Sequence, residues 1–471
     1  MMRKSFAIVI AVLGLPAPAW AGDAPWAEHS PAIGAITELP HGRLTKPELE
    51  ALKDIGKQLF TAKFTTRDGA GRPAATQAIL PTAARRRAAQ AFARTSGPDA
   101  NSCAGCHNDP VLGGAGDFVT NVFASEGFAS ADFDTTDPQF SNERGTNSLF
   151  GAGLLELLAR EMSRDLGDLR TKALRDAAAS GQPVRIALQT KGVSFGHLTA
   201  MPDGLVDLKD IDGVDTDLVI RPFTQKGVIT SLRQFTINAM NQHHGMQADE
   251  RFGARWTGTG DFDDDGKSAE LSGADISALV AWQASLPNPG VAVPEDPSWR
   301  AAARDGASAM ADLGCQVCHR ASLPLTSLAF ADPGPFDASG TLNSRQVRTP
   351  AIYDLDLFAW AAALPRNGRG EIMVPVFGDL KRHKMTDRTN ERLGNELLAQ
   401  RFVDRNIFMT AELWGVGSTA PYGHRNDITT LDQIILAHGG AAREARDKYK
   451  NAPQETRSAL IAFLRTLVIR P

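Results

Sequence analysis

Two five-residue stretches constrain this chain more than anything else in it: Cys103-Ala104-Gly105-Cys106-His107 and Cys315-Gln316-Val317-Cys318-His319. Each reads C-x-x-C-H, and together they use all four cysteines of a 471-residue sequence. The spacing is that of c-type haem attachment. Thiols three positions apart reach the two vinyl groups of one porphyrin, and the next residue's imidazole binds the iron from one face. A bare C-x-x-C also suits a dithiol redox pair, half of a zinc site or a disulfide. None of those requires a histidine directly after the second cysteine of both copies. The sequence therefore predicts two covalently bound c-type haems. Cys103, Cys106, Cys315 and Cys318 would be the attachment points, with His107 and His319 as proximal iron ligands.

The start of the chain points to export. Arg3 and Lys4 precede an apolar run from Phe6 to Leu15, then Pro16 and a small-x-small ending at Ala19-Trp20-Ala21, the pattern of a signal peptide cleaved after Ala21. The run is too short to span a bilayer, and no later stretch is long and apolar enough. The expected location is the periplasm, where c-type haems are attached. Loss of Arg3 and Lys4 takes the formal charge from −4 to −6. With neither sign dominant, nucleic acid and polybasic membrane binding have no support.

The length suits two or three domains. A helix is expected from Lys46-Pro47, where proline favours a first turn, with Leu49, Leu52, Ile55, Leu59 and Phe60 on one face. A basic helix around Arg85–Arg94 follows, then the first motif and the glycine-rich Gly113-Gly114-Ala115-Gly116, which either lets backbone come close or forms a flexible loop. The plan repeats after Pro297, where a helix runs through Ala303, Ala307 and Met310 into the second motif. A last helix, Thr456–Ile469, presents Leu460, Phe463, Leu464, Leu467 and Val468 on one face. The expected fold is mainly α: two cytochrome c-like haem domains with long loops, residues 46–290 and 291–471. An insertion from about Glu161 to Asp275 separates their haem modules.

Three stretches carry a family resemblance: NSCAGCHNDPVLGGAGDFVTNVF from Asn101, RGTNSLFGAGLLE from Arg144, and LWGVGSTAPYGHRNDITTLDQIILAHGGAAREA within Glu412–Leu467. The chain resembles the di-haem oxidoreductases, a family of thiol oxidoreductase-like and peroxidase-like proteins. They are distantly related to bacterial di-haem cytochrome c peroxidases and to MauG. The resemblance implies a division of labour in which peroxide reacts at the first haem and the second relays electrons. It also implies a small redox protein, a cytochrome c or a cupredoxin, as electron donor.

A reactive haem needs an open sixth position and a relay haem usually has none. His438 is the favoured distal ligand of the second haem, because Leu431, Ile434, Ile435 and His438 share one helical stripe. Gly439-Gly440 beside it allows close approach. Met385, in Lys381-Arg382-His383-Lys384-Met385, is its rival. In Asn241-Gln242-His243-His244-Gly245-Met246 adjacent histidines would point about 100° apart on an α-helix, so at most one is expected to face a haem. The distal side of the first haem stays open between no ligand, His244 and Met385. Glu156 is the expected acid for proton transfer during peroxide cleavage, set against an ion pair with Arg160 at i+4 on a solvated face.

Asp261-Phe262-Asp263-Asp264-Asp265-Gly266 opens like an EF-hand calcium loop. Asp261, Asp263 and Asp265 are its candidate calcium ligands, and Glu270 replaces the missing closing glutamate. The expected activity is that of a periplasmic di-haem peroxidase. A MauG-like oxidase acting on a partner protein and a plain electron carrier are the alternatives.

Overall fold

The computed structural model describes residues 38–70, 101–121, 143–262, 265–337, 340–394 and 402–470. The expected signal segment 1–21, the basic helix at Arg85–Arg94 and Asp263 lie outside those residues. Among the described residues no helix is long and apolar enough to cross a membrane. Helix makes up about 39% of the described residues and strand 17%. The mainly α expectation thus holds for the scaffold but misses six small sheets, each of two or three strands.

Helix α1 spans Lys46–Thr61. Thr45 closes its start, its amide and hydroxyl both donating to Glu48 Oε2 at 2.7 Å, and Pro47 supplies a preset first turn. The predicted face is buried through Leu49, Leu52, Leu59 and Phe60. At Gly56 the helix crosses Gly273–Ala284 so closely that a Cβ would stand 2.0 Å from Ala278 O. That second helix begins with a Ser272/Asp275 capping box and is buried on nearly all sides. Its all-round apolar surface suits the centre of a core.

Helix α2 spans Ala152–Ser180 and runs straight through position 161, where the sequence placed the start of an insertion. Most of its first half is buried, Glu156, Arg160 and Glu161 included, so the supposed boundary falls within one rigid element. The strands Val184–Thr190 and Val193–Ala200 follow as a hairpin. Its Lys191-Gly192 turn has both residues at positive φ, 48° and 79°, as a two-residue turn of matching twist demands. Lys191 then ties the hairpin to Glu161 at 2.6 Å.

The main core also refuses the expected division at 290/291. It contains Leu49, Leu158 and Ile276, and it continues into Leu323, Tyr353 and Val374. A smaller core holds Met310, Leu313, Leu431, Tyr449, Leu460 and Leu464. There Pro297–Asp312, capped by Asp296, packs against Gln454–Leu464, and a Cβ on Gly306 would lie 1.9 Å from Ala459 O. The last predicted helix ends at Leu464, short of Ile469. Leu467-Val468 instead pairs as a strand with Gly290-Val291, because the tail's backbone gains more from a ladder than from a further turn at the chain end.

One buried cation joins these parts. Helix α3, Leu232–Ala239, is capped by Ser231 and carries Arg233, 1% exposed. Arg233 donates to both oxygens of Asp332 at 2.7 and 2.9 Å, to Ser277 at 2.9 Å and to Glu250, through Nε, at 3.0 Å. Tyr353 completes the set, donating to Asp332 at 2.7 Å. Replacing Arg233 by Met would leave two carboxylates buried without a counter-charge, at a cost of about 3–5 kcal/mol. A denaturant titration should show this as a lower midpoint. Arg233→Lys should recover only part of the loss, since an ammonium lacks the guanidinium fork.

Candidate functional site

Both C-x-x-C-H stretches line one continuous cavity of 690 Å³, together with His243, His244, Met385 and His438. The sequence set the motifs about two hundred positions apart; the fold brings them to a single hollow between the larger and the smaller core. Each motif is a short 3₁₀ turn, Cys103–Gly105 and Cys315–Val317, that follows a helix of its own module in chain order. All four cysteines are free thiols. Burial, with Cys106 adding, pushes the Cys103 thiol up to about 12, and burial raises Cys315 as well. Neutral thiols of this kind do not suit an exchange-active dithiol pair.

At the first motif, His107 Nδ1 donates to Gly114 O at 3.3 Å. Burial holds the ring down to about 4, so it is neutral near pH 7 and keeps Nε2 as a lone-pair donor. The glycines behind the motif serve close backbone approach. A Cβ on Gly114 or Gly116 would come within 2.1 Å of Asp109 O or Cys106 O. Facing this motif, α3 continues as a π turn, Met240–His244, closed by Gly245 at φ 67°. The wider turn explains why His243 and His244 both reach the cavity, against the expectation for a regular helix. His244 Nε2 lies 3.4 Å from Cys103 Sγ.

At the second motif two rings oppose each other. His319 and His438 have centroids 6.5 Å apart and planes 61° apart. His319 Nδ1 donates to Phe377 O at 3.1 Å, and His438 Nδ1 donates to Ile434 O at 2.7 Å. Phe377 adopts φ 49°, a costly conformation for an aromatic residue, and presents that carbonyl. Burial, then His438, holds His319 down to about 4; burial lowers His438 too. Two imidazoles sharing one metal through Nε2 bonds of about 2.0 Å have centroids roughly 6 Å apart. The pair therefore fits one iron between its rings.

His438 is not inside the helix that predicted it. Leu431–Ala437 ends one residue earlier, and His438 is its C-cap in an extended conformation. The glycines after it approach protein backbone, since a Cβ on Gly440 would meet Lys384 O at 2.1 Å. Gly439 N–H donates to Met385 O at 3.1 Å. Met385 thus stands beside His438, at the second motif rather than the first. Beside it, Cys318 Sγ, Asp379 and His383 have ligating atoms within 4.8 Å of one another. His383 Nε2 and Asp379 Oδ2 are 2.8 Å apart. Burial alone would lower His383, but its bonds to Asp379 and Cys318 carry it to about 9.

Glu156 is placed neither as a cavity acid nor on a solvated face. It is 1% exposed, pairs with Arg160 and accepts the Leu232 N–H at 2.7 Å, so it anchors the start of α3 behind the cavity wall. Burial raises both it and its neighbour Asp337 above the usual carboxyl range. A half-buried carboxyl that does line the cavity is Glu412, which sequence reasoning passed over although it opens the quoted C-terminal stretch. Nothing in its local pattern marks it, because its surroundings come from distant segments such as the one at Gly378.

The described members of the proposed calcium loop do not converge. Asp261 accepts amides of its own loop, from Asp265 at 3.2 Å and Gly266 at 3.0 Å. Glu270 is buried and accepts the Gln247 N–H at 2.7 Å, as a desolvated carboxylate must find donors. Glu270 is therefore corrected from closing ligand to interior anchor.

A protein family described as "Di-haem oxidoreductase, putative peroxidase" matches residues 367–467. The resemblance read from the sequence holds over that stretch, which contains His383, Glu412 and His438. No curated protein matches the chain. Among solved structures, hydrazine synthase of Kuenenia stuttgartiensis, pressurised with 20 bar xenon, is 13% identical. It covers 99% of this chain and 100% of its own, with a TM-score of 0.38. A MauG-like protein associated with microbial copper homeostasis is 15% identical, covering 58% of this chain and 77% of its own, with a TM-score of 0.27. Both likenesses are too weak to fix a shared fold.

Glu412 gives the site a pH signature. Burial, then Asp379, raises its carboxyl from 4.5 to about 7, so the folded chain holds that proton more tightly than the unfolded one. Its contribution to stability is complete below pH 4.5 and is lost as pH rises through about 7. From about pH 5 to about pH 8 the urea midpoint of Glu412→Gln should rise relative to that of the wild type, because only the wild type loses this contribution.

Proposed function

With the C-terminal segment a di-haem oxidoreductase by family, we propose that this protein is a periplasmic c-type di-haem enzyme that reduces peroxide. Its electrons would come from a small redox protein, a cytochrome c or a cupredoxin. The observation that carries the reading is the His319–His438 pair, two neutral imidazoles lining the cavity with ring centroids 6.5 Å apart at the second C-x-x-C-H stretch. Thioethers to Cys103 and Cys106, and to Cys315 and Cys318, would fix the two haems, with His107 and His319 as proximal ligands. When bound, the haems supply one-electron storage and the peroxide-reactive iron.

The residues divide the work. His319 and His438, each oriented by a main-chain carbonyl, would both hold the second haem's iron, which would suit that haem to electron relay. At the first site His107 would hold the iron, and His244, whose Nε2 lies 3.4 Å from Cys103 Sγ, lines the cavity where peroxide would be received. Glu412 keeps a proton on the cavity wall near neutral pH, the role the sequence had assigned to Glu156. Glu156 instead positions α3 and, through it, both histidines.

Pyridine haemochrome assay should find two haems per chain, and the holoprotein should oxidise a reduced cytochrome or cupredoxin when peroxide is added. Loss of that turnover, with oxidation of a specific protein partner instead, would favour the MauG-like alternative. His438→Ala should convert one low-spin haem to high spin by electron paramagnetic resonance. An unchanged spectrum would refute the assignment.

A further inference from the structure

His438 stands where regular structure stops, so its direction cannot come from a continuing helix. Its backbone is extended, with φ −62° and ψ 131°, directly after Leu431–Ala437. The last carbonyls of a helix have no partner within it. His438 takes two of them itself. Its N–H donates to Ile435 O at 3.3 Å and its Nδ1 to Ile434 O at 2.7 Å. The next carbonyl, Leu436 O, accepts from Asn390 Nδ2 at 3.0 Å, and the same nitrogen reaches His438 O at 3.1 Å. A side-chain amide has two N–H donors, so Asn390 can give one to each side of the turn into His438.

Asn390 comes from a different part of the chain, a turn over 385–390. That turn follows the strand Arg382–Lys384, which is paired to Ile407–Met409, and is therefore anchored at its base. Asp387 closes it. Oδ1 accepts the N–H groups of Thr389 at 2.8 Å and Asn390 at 3.1 Å. Oδ2 reaches across to the Gly440 N–H at 2.8 Å and to Arg443 Nε at 3.0 Å. This carboxylate is 8% exposed, which protects its bonds from competing water. The two backbones touch as well, since a Cβ on Gly439 would stand 2.8 Å from Asn390 O. The chain is thus gripped at Leu436, His438, Gly439 and Gly440. With the backbone held on both sides and Nδ1 bonded, the direction of Nε2 is set.

We infer that Asn390 is a positioning residue for His438, held in register by Asp387, and that together they aim His438 Nε2 at the site it shares with His319. This rests on the di-haem reading, in which His438 holds the second haem's iron. Neither Asn390 nor Asp387 lines the cavity. They act through the backbone, by keeping the imidazole from swinging off a metal it would otherwise leave more readily.

The test uses the holoprotein, with haem counted and His438→Ala as the reference. Fewer than two haems, or an unchanged spectrum in His438→Ala, overturns the di-haem reading and this inference with it. Otherwise Asn390→Asp, which keeps the side chain's shape and removes both donors, should retain two haems. Electron paramagnetic resonance should then show part of the second haem as high spin. Carbon monoxide competes with His438 for the reduced iron, and its affinity for the second haem should rise about tenfold, the size of one or two lost hydrogen bonds. Asn390→Leu should do the same and serves if the aspartate variant does not fold. A folded variant with the wild-type spectrum and carbon monoxide affinity overturns the inference while leaving His438 as a ligand. A lower urea midpoint alone would mark Asn390 as structural and overturn it equally.

Discussion

The arrangement of this protein depends on one buried guanidinium. Arg233 is the meeting point of the α3 segment, the helix Gly273–Ala284 and the strand Ala329–Asp332. Those pieces belong to what the sequence presents as an insertion and a second domain. A charge at that depth is tolerated only because Asp332 and Glu250 hold it in a hydrogen-bonded frame. Once the frame is closed, α3 has a fixed direction, and its continuation delivers His243 and His244 to the cavity. The placement of the first site is therefore a consequence of an ion cluster well away from either cysteine motif.

A second device recurs at the site itself. His107, His319 and His438 each give Nδ1–H to a main-chain oxygen, from Gly114, Phe377 and Ile434 respectively. The bond selects a tautomer and leaves Nε2 for a metal. It also spares the interior an unpaired ring nitrogen, whose burial would otherwise be costly. Structural economy and ligand preparation are here the same contact.

Local chemistry made part of this legible in the sequence. The two C-x-x-C-H stretches, the Pro47 and Pro297 helix starts and the inward direction of His438 all follow from residues within a turn or two of each other. What was missed depends on partners far away in the chain. Helix α2 ignores the supposed insertion boundary because its first half, ion pairs included, is covered by later elements. Leu467-Val468 forms a strand only because Gly290-Val291 is waiting for it. Glu156 and Glu412 are alike as residue types, and only the packed structure sends one behind the wall and the other onto it. The π turn at Met240–His244 overturned the rule of one histidine per face, and no pattern in its five residues announces it.

The carbonyl that receives His319 has a wider implication. It belongs to Phe377, whose left-handed backbone, not its aromatic ring, aims the oxygen at the imidazole. How strongly that imidazole pushes electrons toward a metal is thus written in torsion angles. Relatives could exchange the side chain at this position freely and keep the same electronic bias, provided the chain still bends the same way there.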